Sequence, residues 1–226
     1  MQSDFVSAVS HEFRSPLTSI RQLSEMLLAG RVPSEDRRHV YHGTLVRETR
    51  RLQRLVEALL NFGRMEAGVR PYRFEEVEAA ELAHRVAAEF ETEIAAGRHI
   101  ELCGSGSCRF QADPEALSVA LRNLVDNALK YSPNHATVWL DWAVEKGRIA
   151  IRVRDRGVGI APAERKEIFR KFVRGTAAAA GNIKGSGVGL AMVRHIVDAH
   201  RGEIQMESEL GEGSTFTVLL PKLEKS

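Results

Sequence analysis

Cysteine is scarce in this chain of 226 residues: Cys103 and Cys108 are the two present, with four residues between them and no second pair nearby. That spacing supports neither a zinc site nor a disulfide framework, and a reducing compartment fits best. Long apolar runs are missing as well. Nothing approaches the roughly 20 apolar residues of a membrane span, and the N-terminus lacks the apolar core of a signal peptide. A soluble, cytoplasmic segment without direct membrane contact is therefore expected. Charge of one sign is also absent. The 32 Lys and Arg face 30 Asp and Glu, and a net charge of +2 makes no field that would select nucleic acid or an anionic bilayer. No internal repeat divides the sequence. What is present is 43% apolar residues over a length sufficient for one large domain or two small ones, each able to bury a core.

Two long helices open the chain. Phe5, Val9, Phe13, Leu17, Ile20, Leu23 and Leu27 recur at three- and four-residue intervals, which predicts a helix over 4–28, ended by Gly30 and Pro33. Ser34 is an N-cap candidate followed by Glu35 and Asp36, and the helix it opens runs to about Ala67, with Leu45, Leu52, Leu55, Leu59 and Phe62 near heptad spacing. A short connection between them makes an antiparallel hairpin. One apolar stripe per helix buries too little by itself, so a homodimeric four-helix bundle is the expected form. From residue 72 the pattern changes to strands mixed with helices. Strands are expected at Arg73–Val77 and His99–Leu102 around a helix over 80–96, then a helix over 114–131. The alternation of Val138, Leu140, Trp142 and Val144 with Ile149, Ile151 and Val153 predicts a hairpin turning at Lys146-Gly147. A helix near Ala163–Phe172, a mobile Gly- and Ala-rich loop over 175–187, a helix over 189–200 and a hairpin of 203–208 with 215–220 complete it. The fold class is α+β. A helical hairpin, residues 1–68, precedes an α/β sandwich, residues 72–226, with a mixed sheet covered by helices on one face.

Chemistry concentrates in four places. At ~100° per residue, His11 lies opposite the apolar arc of the first helix and shares a face with Ser15 and Thr18. Pro16 frees the Glu12 carbonyl and should bend the backbone there. A lone histidine is ordinarily a surface side chain, but Glu12 beside it is a suitable base for an imidazole that must be neutral and lose a proton to attack phosphorus. Asn123, Asn127 and Lys130 fall on one stripe of a helix whose other side is apolar. Amide oxygens can ligate Mg²⁺ and an ammonium can meet phosphate, although many surface helices carry such a polar face. Asp155-Arg156-Gly157-Val158-Gly159 follows a strand. A carboxylate there can accept the amino group of adenine, and the glycines let the backbone pass close to a flat ring. Gly185-Ser186-Gly187-Val188-Gly189 opens a helix whose free N–H groups can bind phosphate oxygens, and it lacks the βαβ setting of a dinucleotide fold. Each of the last two is weak by itself, because turns often look like them.

Taken in order, the motifs are specific. Ser10-His11-Glu12-Phe13-Arg14-Ser15-Pro16-Leu17-Thr18 resembles the phospho-acceptor box of sensor histidine kinases. Asn123 to Ser132 resembles that family's asparagine box, Asp155 to Gly159 and Gly185 to Leu190 its two glycine boxes, and Phe169 to Phe172 its phenylalanine box. Gly213-Ser214-Thr215-Phe216 is similar to the strand that completes the adenine pocket. The resemblance covers nearly the whole chain. It implies that His11 is phosphorylated with ATP, that Glu12 assists proton removal, and that a receiver aspartate of a response regulator accepts the phosphoryl group. It implies further that Asn127 ligates Mg²⁺ beside Asn123, that Lys130 and Tyr131 meet phosphate or ribose, and that Asp155 holds adenine with Thr215. Gly157 and Gly159 would flank the nucleotide, Arg174 would approach the triphosphate, and Gly185, Gly187 and Gly189 would close the lid. Two positions depart from the pattern. Ser15 stands where the family usually has Thr or Asn to position a phosphatase water, and Lys184 stands where a further Gly is common. The same ATP-binding fold also serves type II topoisomerases, mismatch-repair ATPases and heat-shock chaperones, so the acceptor box rather than the fold argues for transfer to histidine. A nucleotide-holding dimeric scaffold is the binding-class alternative.

Overall fold

The computed structural model describes residues 2–66, 72–90, 94, 97–133, 137–171, 173 and 187–223. For residues 2–12 and part of 51–66 it covers the backbone alone. These residues fall into two compact units, one helical and one α/β.

The helical unit is α1 (Gln2–Leu28) and α2 (Glu35–Glu66), packed against each other. Its turn is built from the expected residues. Gly30 takes φ +62°, its N–H meets the Leu27 carbonyl at 3.2 Å, and the Arg31 N–H reaches Met26 at 3.0 Å. This is the Schellman closure that a glycine after the last helical residue permits. Ser34 then caps α2 by accepting the Arg37 N–H on Oγ at 3.2 Å, with Glu35 and Asp36 in the first turn. Pro16 lies inside α1 without ending it.

In the α/β unit, a five-stranded sheet has the order β2-β4-β5-β7-β6. The strands are β2 (His99–Leu102), β4 (Thr137–Glu145), β5 (Arg148–Arg154), β6 (Glu203–Glu209) and β7 (Gly213–Pro221). β2 runs parallel to β4 and the other neighbours are antiparallel, so the sheet is mixed as expected. Lys146 (φ +47°) and Gly147 (φ +76°) make the tight β4–β5 turn, both central residues being left-handed as this hairpin type requires. Val138, Leu140 and Trp142 of β4, Ile149, Ile151 and Val153 of β5, and Phe216, Val218 and Leu220 of β7 are all buried. The residues between them, such as Trp139, Asp141 and Arg152, stay partly exposed. The apolar face is covered by α3 (Ala79–Ala88), α4 (Pro114–Tyr131) and α5 (Gly189–Ala199).

Three local expectations are corrected. The first strand is displaced to β1 (Glu75–Glu78), where it pairs antiparallel with β3 (Arg109–Ala112), a strand the alternation did not reveal. The pair is short, and only Val77, Phe110 and Ala112 of it are buried, which leaves little periodicity to read. α3 closes at Ala88, where the Glu89 and Phe90 amides turn back to Val86 and Ala87 and Phe90 enters the core. The helix expected over Ala163–Phe172 is two 3₁₀ turns, Pro162–Glu164 and Glu167–Phe169. Its apolar residues span barely one turn, too little for an α-helix, and the tighter turns bury Ile168 and set the Phe169 ring 6.2 Å from Phe216. The expected loop over 175–187 lies outside the described residues except for Gly187.

Candidate functional site

α4 is the spine of the site. Asp113 opens it, accepting the Ala116 N–H on Oδ1 at 2.9 Å, with Pro114 in the first turn where its missing N–H costs nothing. Ala116, Leu117, Ala120, Leu121, Leu124, Val125, Ala128 and Leu129 bury its apolar side, which holds Asn123, Asn127, Lys130 and Tyr131 half-buried on the other. The Asn123 Nδ2 group donates to the Val119 carbonyl at 2.8 Å, which turns Oδ1 toward the start of α5. A Cβ placed on Gly189 would lie 2.8 Å from that Oδ1, so glycine is what lets the two helices meet there. Gly187, two residues earlier, has φ +68°.

The far end of α4 meets the loop after β5. The Val158 N–H donates to the Tyr131 carbonyl at 3.2 Å, and a Cβ on Gly157 would fall 2.6 Å from that carbonyl oxygen and 2.7 Å from Asp155 Oδ1. Gly159, at φ +68°, would bring a Cβ within 2.0 Å of the Glu209 carbonyl oxygen. These glycines are thus demanded by the close approach of the chain to itself, whatever ring lies beside them.

Asp155 is 7% exposed, and its Oδ1 accepts the Gly157 N–H at 2.7 Å. Burial pushes its carboxyl above the ordinary aspartate range, and hydrogen bonding from the Gly157 and Ser214 backbone opposes part of that rise. Its own N–H donates to the Ser214 carbonyl at 2.9 Å, which places the half-buried Thr215 directly beyond. A buried carboxylate held by one backbone turn is built to accept a further donor, and a purine amino group is such a donor. Among the described residues no cluster of His, Cys, Asp and Glu could hold a metal, so a divalent ion at α4 would rest on amide oxygens and on the phosphates of the nucleotide, a mode suited to Mg²⁺.

α4 therefore makes two junctions: Asn123 meets the start of α5 at Gly189, and Tyr131 meets the loop that holds Asp155, Gly157 and Gly159, with Thr215 beyond it. Asn127 and Lys130 lie on the same helix, the Lys130 ammonium 5.7 Å from the Tyr131 ring centre. His11, Glu12 and Ser15 belong to α1 of the other unit, where Ser15 is half-buried and the side chains of His11 and Glu12 are outside the described residues. Arg174 and Gly185 also lie outside them. Sequence reasoning missed Ser208, a buried serine of β6 that touches the loop after β5. The signal was available: Ile204, Met206 and Ser208 share one face of the strand, and a hydroxyl on the apolar register is an exception that asks for a partner.

Comparison with known proteins agrees with this layout. Residues 1–68 match the His Kinase A (phospho-acceptor) domain, and residues 112–224 match the histidine kinase-, DNA gyrase B-, and HSP90-like ATPase family. The chain is 35% identical to the sensor-like histidine kinase SenX3 of Mycobacterium tuberculosis over 226 residues, covering 97% of this chain and 54% of that protein. It spans about half the length of such curated relatives. Among solved structures, the histidine kinase AdeS of Acinetobacter baumannii shares the fold at 24% identity with a TM-score of 0.68, over 95% of this chain and 98% of that one. Full-length ShkA, solved in complex with AMPPNP, is 27% identical with a TM-score of 0.68, over 97% of this chain and 46% of that one. With a phospho-acceptor domain followed by an ATPase domain in one chain, the protein belongs to the sensor histidine kinases and comprises their catalytic core.

Proposed function

We propose that this chain is the kinase core of a two-component signalling protein, in which the α/β unit (72–226) binds ATP and the γ-phosphoryl group passes to His11 of the helical unit (1–68), then to a receiver aspartate of a response regulator. The observation that carries the reading is the convergence of a buried carboxylate, Asp155, with the polar stripe of α4 and the glycine start of α5, in a chain whose first helix bears His11-Glu12. Asp155 accepts the adenine amino group and Thr215 borders it. Lys130, Tyr131 and Arg174 meet phosphate or ribose, and Gly185, Gly187 and Gly189 close over the triphosphate. Asn127, with Asn123 beside it, would hold Mg²⁺, which when bound neutralises charge on the phosphates. Neutral His11 attacks the γ-phosphorus as the bond to ADP breaks, and Glu12 takes the imidazole proton.

Homodimer formation belongs to the same reading. Leu17, Val40, Val46, Val56 and Leu60 are each between 41% and 56% exposed in the single chain, too much apolar surface for helices that end in water. No described helix is long and apolar enough to cross a membrane, and we place this segment in the cytoplasm, where a response regulator is met. Ser15 retains the hydroxyl for phosphatase chemistry. The test is radiolabelled ATP with Mg²⁺: the label should stay on the protein, survive base and be lost in acid, as a histidine phosphoramidate does. Free phosphate without labelled protein would leave an ATPase instead.

A further inference from the structure

We propose that Ser208 is a positioning residue for nucleotide recognition, fastening the Asp155 loop to the β6–β7 turn so that the Asp155 carboxylate is held at a fixed place. The proposal rests on the reading of Asp155 as the adenine acceptor.

Three links between the loop and the turn are made or shaped by backbone alone. Asp155 N–H donates to the Ser214 carbonyl at 2.9 Å, Gly211 N–H donates to the Val158 carbonyl at 3.0 Å, and Gly159 and Gly213 each pack where a Cβ would strike the opposite chain. Any sequence with those glycines can make them. Ser208 adds what backbone cannot. Its Oγ accepts the Ile160 N–H at 2.8 Å, lies 2.9 Å from the Gly213 carbonyl and 2.9 Å from Ser214 Oγ. A carbonyl only accepts, so the single Ser208 hydroxyl proton goes to Gly213, and Ser214 must donate to Ser208. One buried hydroxyl is then saturated, with one bond given and two received, and it joins the residue after the second loop glycine to both ends of the turn. The Arg165 guanidinium donates to the Ser208 carbonyl as well, so the strap continues into the first 3₁₀ turn.

The geometry has a direction. Asp155 lies at one end of the strapped segment and Ile160 at the other, with Gly157 and Gly159 between them. Two glycines in six residues leave the loop soft unless both ends are tied. The Ser214 carbonyl ties the first end and Ser208 ties the second. Loss of the hydroxyl should release the loop, widen the range of carboxylate positions, and weaken most the nucleotide that uses the carboxylate.

The measurement is calorimetric affinity of the 226-residue chain for ATP and for inosine triphosphate, which lacks the 6-amino group, alongside melting temperature. Ser208→Ala should weaken ATP by about tenfold and inosine triphosphate by much less, because a buried partner lost in a network is what changes. Ser208→Thr, which keeps the hydroxyl, should recover the preference. Met206→Ala, on the same face of β6, should lower melting temperature and leave the preference intact. If Ser208→Ala does not fold, Ser208→Cys keeps the volume with a poorer hydrogen-bonding group and should lose the preference. A folded Ala or Cys variant with wild-type preference overturns the proposal, and so does a Met206→Ala variant that loses preference in step with stability. Asp155→Asn separates the two readings. If it loses the preference and Ser208→Ala does not, the strap alone is wrong; if Asp155→Asn keeps the preference, the adenine reading falls and the strap with it.

Discussion

The two units differ in what they bury. Among the side chains described in the helical unit, Pro16 alone is buried, and every aliphatic or aromatic residue keeps some exposure. The α/β unit hides Phe90, Phe110, Leu82, Leu117, Leu121, Leu124, Leu140, Ile149, Ile151 and Leu220 almost completely. A sheet covered by three helices makes its own core, whereas two helices present surface to something else. The difference assigns separate physical jobs: the α/β unit is fit to hold a small ligand in a rigid site, and the helical unit is fit to be completed by a partner. It also predicts that damage in one unit leaves the other's task standing.

The largest expected effect tests that separation through the chemistry. His11→Gln should lower phosphate incorporation by about a thousandfold or more, since the nucleophile itself is gone, while calorimetric affinity for ATP stays at the wild-type value. Labelling at the wild-type rate would remove His11 from the mechanism. Loss of ATP affinity would show that the two units are not separable in this way.

Next is the covering of the hairpin. Val56, 41% exposed on α2, should be buried in a homodimer together with its copy. Val56→Glu removes two apolar side chains worth about 1.5 kcal/mol or more each and puts two like charges in their place, so the dimer should weaken by about 100-fold or more. Sedimentation equilibrium reads this directly. The melting transition of the α/β unit should not move, and an unchanged dimer would mean that Val56 faces water in the assembly.

How much of this was legible in sequence follows the same division. α4 was legible to the residue because Pro114 opens it, an apolar stripe runs its length, and Ser132 leaves the helix in extended conformation. The β4–β5 hairpin was legible because strict alternation brackets Lys146-Gly147. β1 and β3 were not, since a two-stranded sheet with three buried residues has too short a period to stand out. The segment 162–169 was misread because Ile168 and Phe169 are held by tertiary packing rather than by a helical stripe of their own. In the site, the glycines were legible as positions but not as causes. What they clear is the Tyr131 and Glu209 backbone, and pairings between residues tens of positions apart are set by topology. Ser208 escaped for that reason, its loop partner, Ile160, lying about 50 residues earlier.

A tenfold effect is expected within the α/β unit. Asp155→Asn exchanges an acceptor for a mixed amide and should weaken ATP by about tenfold or more. The apo protein should behave in the opposite way. Because burial raises the Asp155 carboxyl in the folded state, ionisation is less favourable there than in the unfolded chain, and keeping the group charged at neutral pH costs stability that asparagine does not incur. The melting temperature of the apo variant should equal or exceed that of the wild type at pH 7. A lower value in a folded variant would show that the carboxylate is a structural tie rather than a site held ready for a donor.

The smallest effect concerns pH, and His200 supplies it. This histidine caps the end of α5 and is 3% exposed. Its Nε2 lies 3.0 Å from the Asp113 N–H and its Nδ1 2.7 Å from the Ile196 carbonyl. A backbone amide only donates and a carbonyl only accepts, so the proton sits on Nδ1 and Nε2 is the acceptor. The Tyr72 and Phe74 rings close the remaining sides at 5.2 and 5.0 Å. Burial lowers the histidine below its ordinary 6.5, while the Ile196 carbonyl and the Asp113 carboxylate, the charged group facing it, offset part of the change. A second proton would put an N–H against the Asp113 N–H and undo the joint between the start of α4 and the end of α5. The folded state therefore binds this proton less readily than the unfolded chain. The contribution to stability is complete above pH 6.5 and is lost as pH falls through the lowered value. As pH falls below 6.5 the α/β melting temperature should fall more steeply in the wild type than in His200→Gln, whose amide oxygen can still accept from Asp113 and does not titrate. Parallel pH profiles for the two proteins would show that His200 is not the group whose protonation loosens the α4–α5 joint.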